Sequence, residues 1–237
     1  MLPKVIHYCW FGRNPLPESA LRCIESWRKY LPEHEIIEWN EDNFDVNSIP
    51  YTAEAYSAGK YAFVSDYVRF WALYRYGGLY FDVDVELLGN IDDIISKGNF
   101  MAYECGMSVA PGLGLGLEAG NTFAGHLLEE YRTMHFIVDG RMMMYRTVVN
   151  IVTDRLRAEG IRNVSEGMDR AAGIDIYYPE YFSPLDHRTG ILTITANTRA
   201  IHHYDASWKS PVQKLKDRII RILGADVTAI LVKIKNF

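Results

Sequence analysis

Residues 60–86 do most to limit what this chain can fold into. Lys60 to Tyr76 reads as a helix that is apolar nearly all round, with Phe63, Val64, Val68, Phe70, Trp71 and Leu73. A helix without a broad polar face is covered on most sides by other elements. Gly77-Gly78 stops it, and Leu79–Val85, LYFDVDV, follows as an apolar strand. A buried helix feeding a buried strand is the local unit of a layered α/β domain. With 237 residues the chain can bury one large core and has room for a small appendage beside it.

The rest of the chain agrees with that class. Lys4 to Phe11 reads as a buried first strand ended by Gly12. Glu18 to Tyr30 is an amphipathic helix with Leu21, Ile24, Trp27 and Leu31 on one face, stopped by Pro32. Glu35–Trp39 is a strand, Thr52–Ser57 a helix, and Phe100–Glu104 a strand. Beyond them, Asn121–Met134 and Tyr145–Ala158 read as helices. Ile174–Tyr178, Leu192–Thr195 and Ala200–Tyr204 read as strands. The alternation predicts a mostly parallel, Rossmann-type sheet with helices on both faces. The glycine-rich stretch GLGLG at 112–116 lacks the strand and helix context of a dinucleotide site and the lysine of a P-loop, and reads as a connector.

Charge divides the chain unevenly. Residues 209–237 hold seven Lys/Arg and two Asp, a net +5, against -5 for the whole, so the first 208 residues carry -10. An acidic body argues against nucleic-acid binding, which needs a basic face. Three cysteines, Cys9, Cys23 and Cys105, without CxxC spacing support neither a disulfide framework nor a cysteine metal site, and suit a cytoplasmic protein. No stretch reads as a signal peptide or as a membrane span.

The chemistry centres on Asp82-Val83-Asp84. On a strand, alternate side chains share a side, so both carboxylates project together. Two carboxylates that close repel each other, and a hard divalent cation relieves the repulsion and can neutralise a diphosphate. Asp66 and Arg69 lie three apart, on one face of the apolar helix, where a charged pair needs a reason.

Three segments in order, IHYCWFG at the start, SDYVRFWALYRYGGLYFDVDVE at 65–86 and IHHYDASW at 201–208, resemble the DXD-containing sugar-transferase family, glycosyltransferase family 32. That family includes capsular polysaccharide transferases, yeast-type initiating mannosyltransferases and, distantly, the large bacterial glucosylating toxins. The resemblance implies a GT-A-like fold over 1–208, and the alternation of basic and apolar residues after Pro211 makes 209–237 a basic amphipathic helical tail. It implies retaining, metal-dependent transfer of a hexose from a nucleotide-sugar, UDP-sugar favoured over GDP-sugar. The acceptor it implies is a saccharide or lipid-linked saccharide, in polysaccharide biosynthesis.

Carried over by position, Asp82 and Asp84 fall on the metal and donor motif, with Mn²⁺ or Mg²⁺ as the ion. Asp66 and Arg69 fall on the donor-sugar pair, Tyr80 on an aromatic near the donor, and Trp10 on the tryptophan that stacks on the base. Ser207 and Trp208 fall on the loop that closes over the diphosphate. One histidine of His202 and His203 is the third metal ligand; alternation lets only one reach the ion, and His203 is favoured. The basic helix at 211–223 suits peripheral contact with an anionic membrane at its inner face, or packing on the body. The competing functions are a nucleotide-sugar-binding protein without catalysis and, less well matched, a haloacid-dehalogenase-like phosphatase, whose DxD normally lies near the N-terminus.

Overall fold

The computed structural model describes residues 2–161 and 168–205. Ser207, Trp208 and the basic tail from 209 onward lie outside the described residues. In chain order the elements are β1 (Val5–Cys9), α1 (Glu18–Tyr30), β2 (Glu35–Trp39), α2 (Pro50–Ser57), α3 (Tyr61–Tyr76), β3 (Gly78–Tyr80), β4 (Val85–Leu87), α4 (Asp92–Ile95) and β5 (Phe100–Ala102). There follow β6 (Leu115–Leu117), α5 (Thr122–Arg132), β7 (Ile137–Val138), β8 (Arg141–Met142), α6 (Val148–Ala158), β9 (Met168–Ala171), β10 (Ile174–Tyr177), α7 (Pro179–Phe182) and β11 (Ala200–His202).

Seven strands form the main sheet in the order β2-β1-β3-β6-β5-β10-β9. Five of them run the same way, and β6 and β9 run against them. The mostly parallel α/β fold expected from the sequence is therefore present. Strand alternation splits the core into two layers. Tyr80, Met101 and Ile176 face α2, α3, α5 and α6, whereas Leu79, Phe81, Phe100 and Tyr177 face α1, α4 and α7. Fully burying side chains of this size stabilises the fold by about 1.5–3 kcal/mol each.

Helix α3 lies on the first layer and buries Phe63, Val64, Val68, Phe70 and Leu73 together with Asp66 and Arg69. Its end requires glycine twice. Gly77 and Gly78 have φ of +65° and +104°, and a Cβ on Gly78 would lie 2.5 Å from the Val5 carbonyl oxygen. This close turn threads the chain straight from α3 into the sheet beside β1.

Four expectations change. The strand anticipated over 79–85 is two strands with a turn between them. Phe81 N–H still bonds the His7 carbonyl, but the Asp82 N–H takes the Gly112 carbonyl and Val85 N–H folds back on the Asp82 carbonyl, both at 3.0 Å. β4 then pairs with β11 in a separate two-stranded sheet. The glycine-rich connector is instead the middle of the main sheet: Leu115–Leu117 is β6, and Gly114 and Gly116 leave room for Phe182 and Phe100. Leu192–Thr195 is no strand; it has one bridge, Leu185 to Leu192, and hydrogen bonds of its own turn between Thr195 and Thr198. In α1 the buried face is Ala20, Cys23, Ile24 and Trp27, with Leu21 half exposed.

Candidate metal and donor site

The chain leaves β3 at the carboxyl end of the sheet, where α/β folds usually bind ligands. The turn at 82–85, rather than strand alternation, brings the two aspartates of the motif together. Asp84 is held from the far end of the sequence. β11 lies antiparallel to β4 with His202 opposite Val85. The Nε2 of His202 sits 3.0 Å from Asp84 Oδ1, and the Asp205 N–H donates to Asp84 Oδ2 at 3.0 Å. One ligand atom each from Asp82, Asp84 and His202 lie within 4.8 Å of one another.

The alternation of β11 decides between the two histidines. The ring beside the aspartates belongs to His202, not to His203, the one of the two that the sequence favours. His203 turns the other way and meets Glu86 at 2.8 Å, with more than a third of both side chains exposed. Its backbone N–H still serves the site by bonding the Asp84 carbonyl. Tyr204, at φ +54°, packs edge-on against His202 at 4.1 Å, and its hydroxyl meets Ser183 Oγ at 2.8 Å.

Asp82 is held from below. Its Oδ1 accepts from the Tyr80 hydroxyl at 2.9 Å and lies 3.5 Å from Arg69 Nη2. The same Arg69 nitrogen pairs with Asp66 at 3.0 Å. Asp66 and Arg69 are 7% and 4% exposed, so this is a charge cluster inside the protein. Burial pushes the Asp66 carboxyl up to about 6, with Arg69 and the Val148 backbone N–H at the start of α6 pulling it back. Burial works against the charge of Arg69, but Asp82, Tyr80 and Asp66 outweigh it and hold it protonated. Burial also opposes the charges of Asp84 and His202, and each outweighs it for the other: Asp84 is shifted down and His202 up.

Tyr80, anticipated near the donor, is 1% exposed, with the Arg69 guanidinium 4.9 Å above its ring. Its place is that of a brace for Asp82. Trp10 follows β1 at the same end of the sheet and is partly exposed. Its indole N–H is already engaged by the Asn14 carbonyl at 2.6 Å, which leaves the ring face for contact. The loop it enters is anchored by Glu41, which accepts from the Gly12 N–H at 2.6 Å and from the Tyr56 hydroxyl at 2.9 Å.

Two carboxylates and an imidazole make a hard, oxygen-rich set of the kind that suits Mn²⁺ or Mg²⁺. Ligands at right angles about an octahedral ion stand about 3.0 Å apart when each bond is about 2.1 Å. The 3.0 Å between His202 Nε2 and Asp84 Oδ1 matches that spacing. The Nδ1 of His202 is buried without a hydrogen-bond partner among the described residues, while its Nε2 faces Asp84 Oδ1. The residues fit a divalent cation.

Comparison with known proteins agrees with the geometry. Residues 17–101 match the model of the glycosyltransferase sugar-binding region containing the DXD motif, a stretch that holds Asp66, Arg69, Tyr80, Asp82 and Asp84. The chain is similar to inositol phosphoceramide mannosyltransferase 3 of Schizosaccharomyces pombe, with 30% identity over 40% of this chain and 27% of that protein. It is also similar to mannosyltransferase 1 of the same set, with 29% identity over 42% of this chain and 33% of that protein. It thus spans about a third or less of the curated relatives it matches. Among solved structures the PaToxG glycosyltransferase is similar, with a TM-score of 0.49 and 17% identity over 67% of this chain and 70% of that one. Residues 17–101 thus carry the sequence pattern of the DXD-containing sugar-binding region of glycosyltransferases.

Proposed function

We propose that this chain is a retaining, metal-dependent glycosyltransferase that moves a hexose from a nucleotide-sugar to a saccharide or lipid-linked saccharide, in polysaccharide biosynthesis. The observation that carries the reading is the convergence of Asp82, Asp84 and His202 beside the buried Asp66–Arg69 pair. Asp82, Asp84 and His202 hold the cation. When bound, that ion supplies charge neutralisation for the diphosphate and Lewis acidity for its departure.

The protein's own groups divide the remaining work. Arg69 and the Tyr80 hydroxyl hold the Asp82 carboxylate turned toward the site. Asp66 stays ionised at neutral pH and accepts from donor-sugar hydroxyls. Trp10 offers its ring face to the base. The acceptor hydroxyl attacks the anomeric carbon from the face the diphosphate leaves and gives its proton to the departing diphosphate oxygen, so no side chain need form a covalent intermediate. The relatives are named for mannose transfer to inositol phosphoceramide, which supports a lipid-borne acceptor and places a mannosyl donor in the panel beside UDP-hexoses.

The test is nucleoside diphosphate release from UDP- and GDP-sugars, with Mn²⁺ or with chelator, for the wild type and Asp84→Asn. Release from one donor is expected, lost with chelator and reduced by about 10²-fold or more in the folded variant. Undiminished release by that variant would overturn the assignment. Tight donor binding without any release, in the presence of acceptors, would favour the non-catalytic binding protein.

A further inference from the structure

The glycine-rich stretch places one glycine against the site itself. Gly112 lies in the turn before β6, and a Cβ built on it would stand 1.9 Å from Asp82 Oδ2 and 3.2 Å from Arg69 Nη1. Real Cβ atoms essentially never come within 3.0 Å of such a neighbour. The φ of Gly112 lies outside the left-handed region, so its backbone suits any residue. Space, not conformation, demands glycine here. Gly114 is different: its Cβ would meet the Phe182 and Phe81 rings in the core and nothing of the site.

The conflict at Gly112 cannot be relieved by drawing the two segments apart without loss. The Gly112 carbonyl accepts the Asp82 N–H at 3.0 Å, so the backbones are tied at this point. The Asp82 side chain is the part able to move. Rotating it pulls Oδ1 from the Tyr80 hydroxyl and from Arg69. Among the described residues Oδ2 makes no hydrogen bond, which suits an atom that serves as a ligand.

We infer that Gly112 is a positioning residue for the cation site: its missing side chain is the notch that holds the Asp82 carboxylate in its ligating orientation. This rests on the metal-site reading above, and the experiment separates the two. Mn²⁺ binding is followed by electron paramagnetic resonance or calorimetry, without donor, in the wild type, Gly112→Ala and Gly114→Ala. Thermal unfolding is measured for Gly112→Ala in the wild-type and Asp82→Ala backgrounds.

The expected result is Mn²⁺ affinity at least about 10-fold weaker in Gly112→Ala, with Gly114→Ala unchanged in affinity although less stable. Gly112→Ala should lower the unfolding temperature in the wild-type background and not in Asp82→Ala, where the clashing carboxylate is gone. Equal destabilisation in both backgrounds, or wild-type Mn²⁺ affinity in a folded Gly112→Ala, overturns the inference. A wild type that binds no Mn²⁺ overturns the metal-site reading instead, and the coupling between the two substitutions still reports whether Gly112 sets Asp82.

Discussion

Asp82 and Asp84 stand two residues apart and are held in opposite ways. Asp82 closes a local unit: Arg69, Tyr80 and the turn from α3 into β3 all lie within 14 residues of it. Asp84 is held by His202 and the Asp205 N–H, both well over a hundred residues later, through a two-stranded sheet outside the main one. The first aspartate belongs to the buried core, the second to a clamp added at its edge. A site divided in this way can lose metal affinity through the clamp while keeping its fold, whereas damage on the core side unfolds it.

The largest effect that sharpens this contrast is Arg69→Met. It leaves Asp66 as a buried carboxylate without its counter-charge, at a cost of about 3–5 kcal/mol. Urea unfolding should show that loss, and the melting temperature should fall by about 2–4 °C for each kcal/mol in a domain of this size. A variant as stable as the wild type would mean that the pair is not integral to the core. On the clamp side the expected loss is in binding. His202→Ala removes a direct ligand, and since even groups behind metal ligands matter by about 10–100-fold, Mn²⁺ affinity should weaken at least 10-fold with little change in stability. His203→Ala removes a half-exposed pair worth about 0–1 kcal/mol and should leave affinity unchanged. Equal effects of the two histidine variants, measured by calorimetry, would break the contrast.

The same division explains what could be read from the sequence. The core half was legible because helix, Gly-Gly turn and DxD are contiguous, and a charged pair on an apolar helix signals itself. The clamp was only half legible. Alternation said that one histidine of two would face the aspartates, but which one depends on the register of β11 against β4, and a one-residue slip exchanges them. Strand alternation gave the right partnership of Asp82 and Asp84 for the wrong reason, since a turn does the work. Gly112 and β6 were missed because glycine usually marks a loop, whereas here Gly114 and Gly116 make room for the rings of Phe81, Phe182 and Phe100, and Gly112 for the Asp82 carboxylate. The alternation GLGLG was the available signal: period two with leucine is a strand pattern. Leu192–Thr195 went the other way, β-branched residues without a strand to pair with.

The smallest effect tests the core side by pH. His7 lies on β1 opposite Tyr80 of β3, fully buried. Its Nε2–H donates to the Gly77 carbonyl at 2.9 Å, and its Nδ1 accepts from the Trp39 indole at 3.1 Å. Both nitrogens are satisfied only in the neutral ring; a proton on Nδ1 would set it against the indole N–H. Burial lowers the His7 pKa below the usual 6.5, although the Gly77 bond and Glu35 act the other way. The unfolded chain therefore binds more protons than the folded one between the folded pKa and 6.5. Stability rises with pH through that window and is lost as pH falls through it, with a slope of at most about 1.4 kcal/mol per pH unit. His7→Gln can keep the bond to Gly77 and does not titrate. Urea midpoints at pH 7.5 and pH 5 should show the wild type losing more stability on acidification than the variant. Parallel loss in both would mean that His7 is charged in the fold. The bracing of β3 by β1 would then rest on something other than a neutral imidazole between Trp39 and the end of α3.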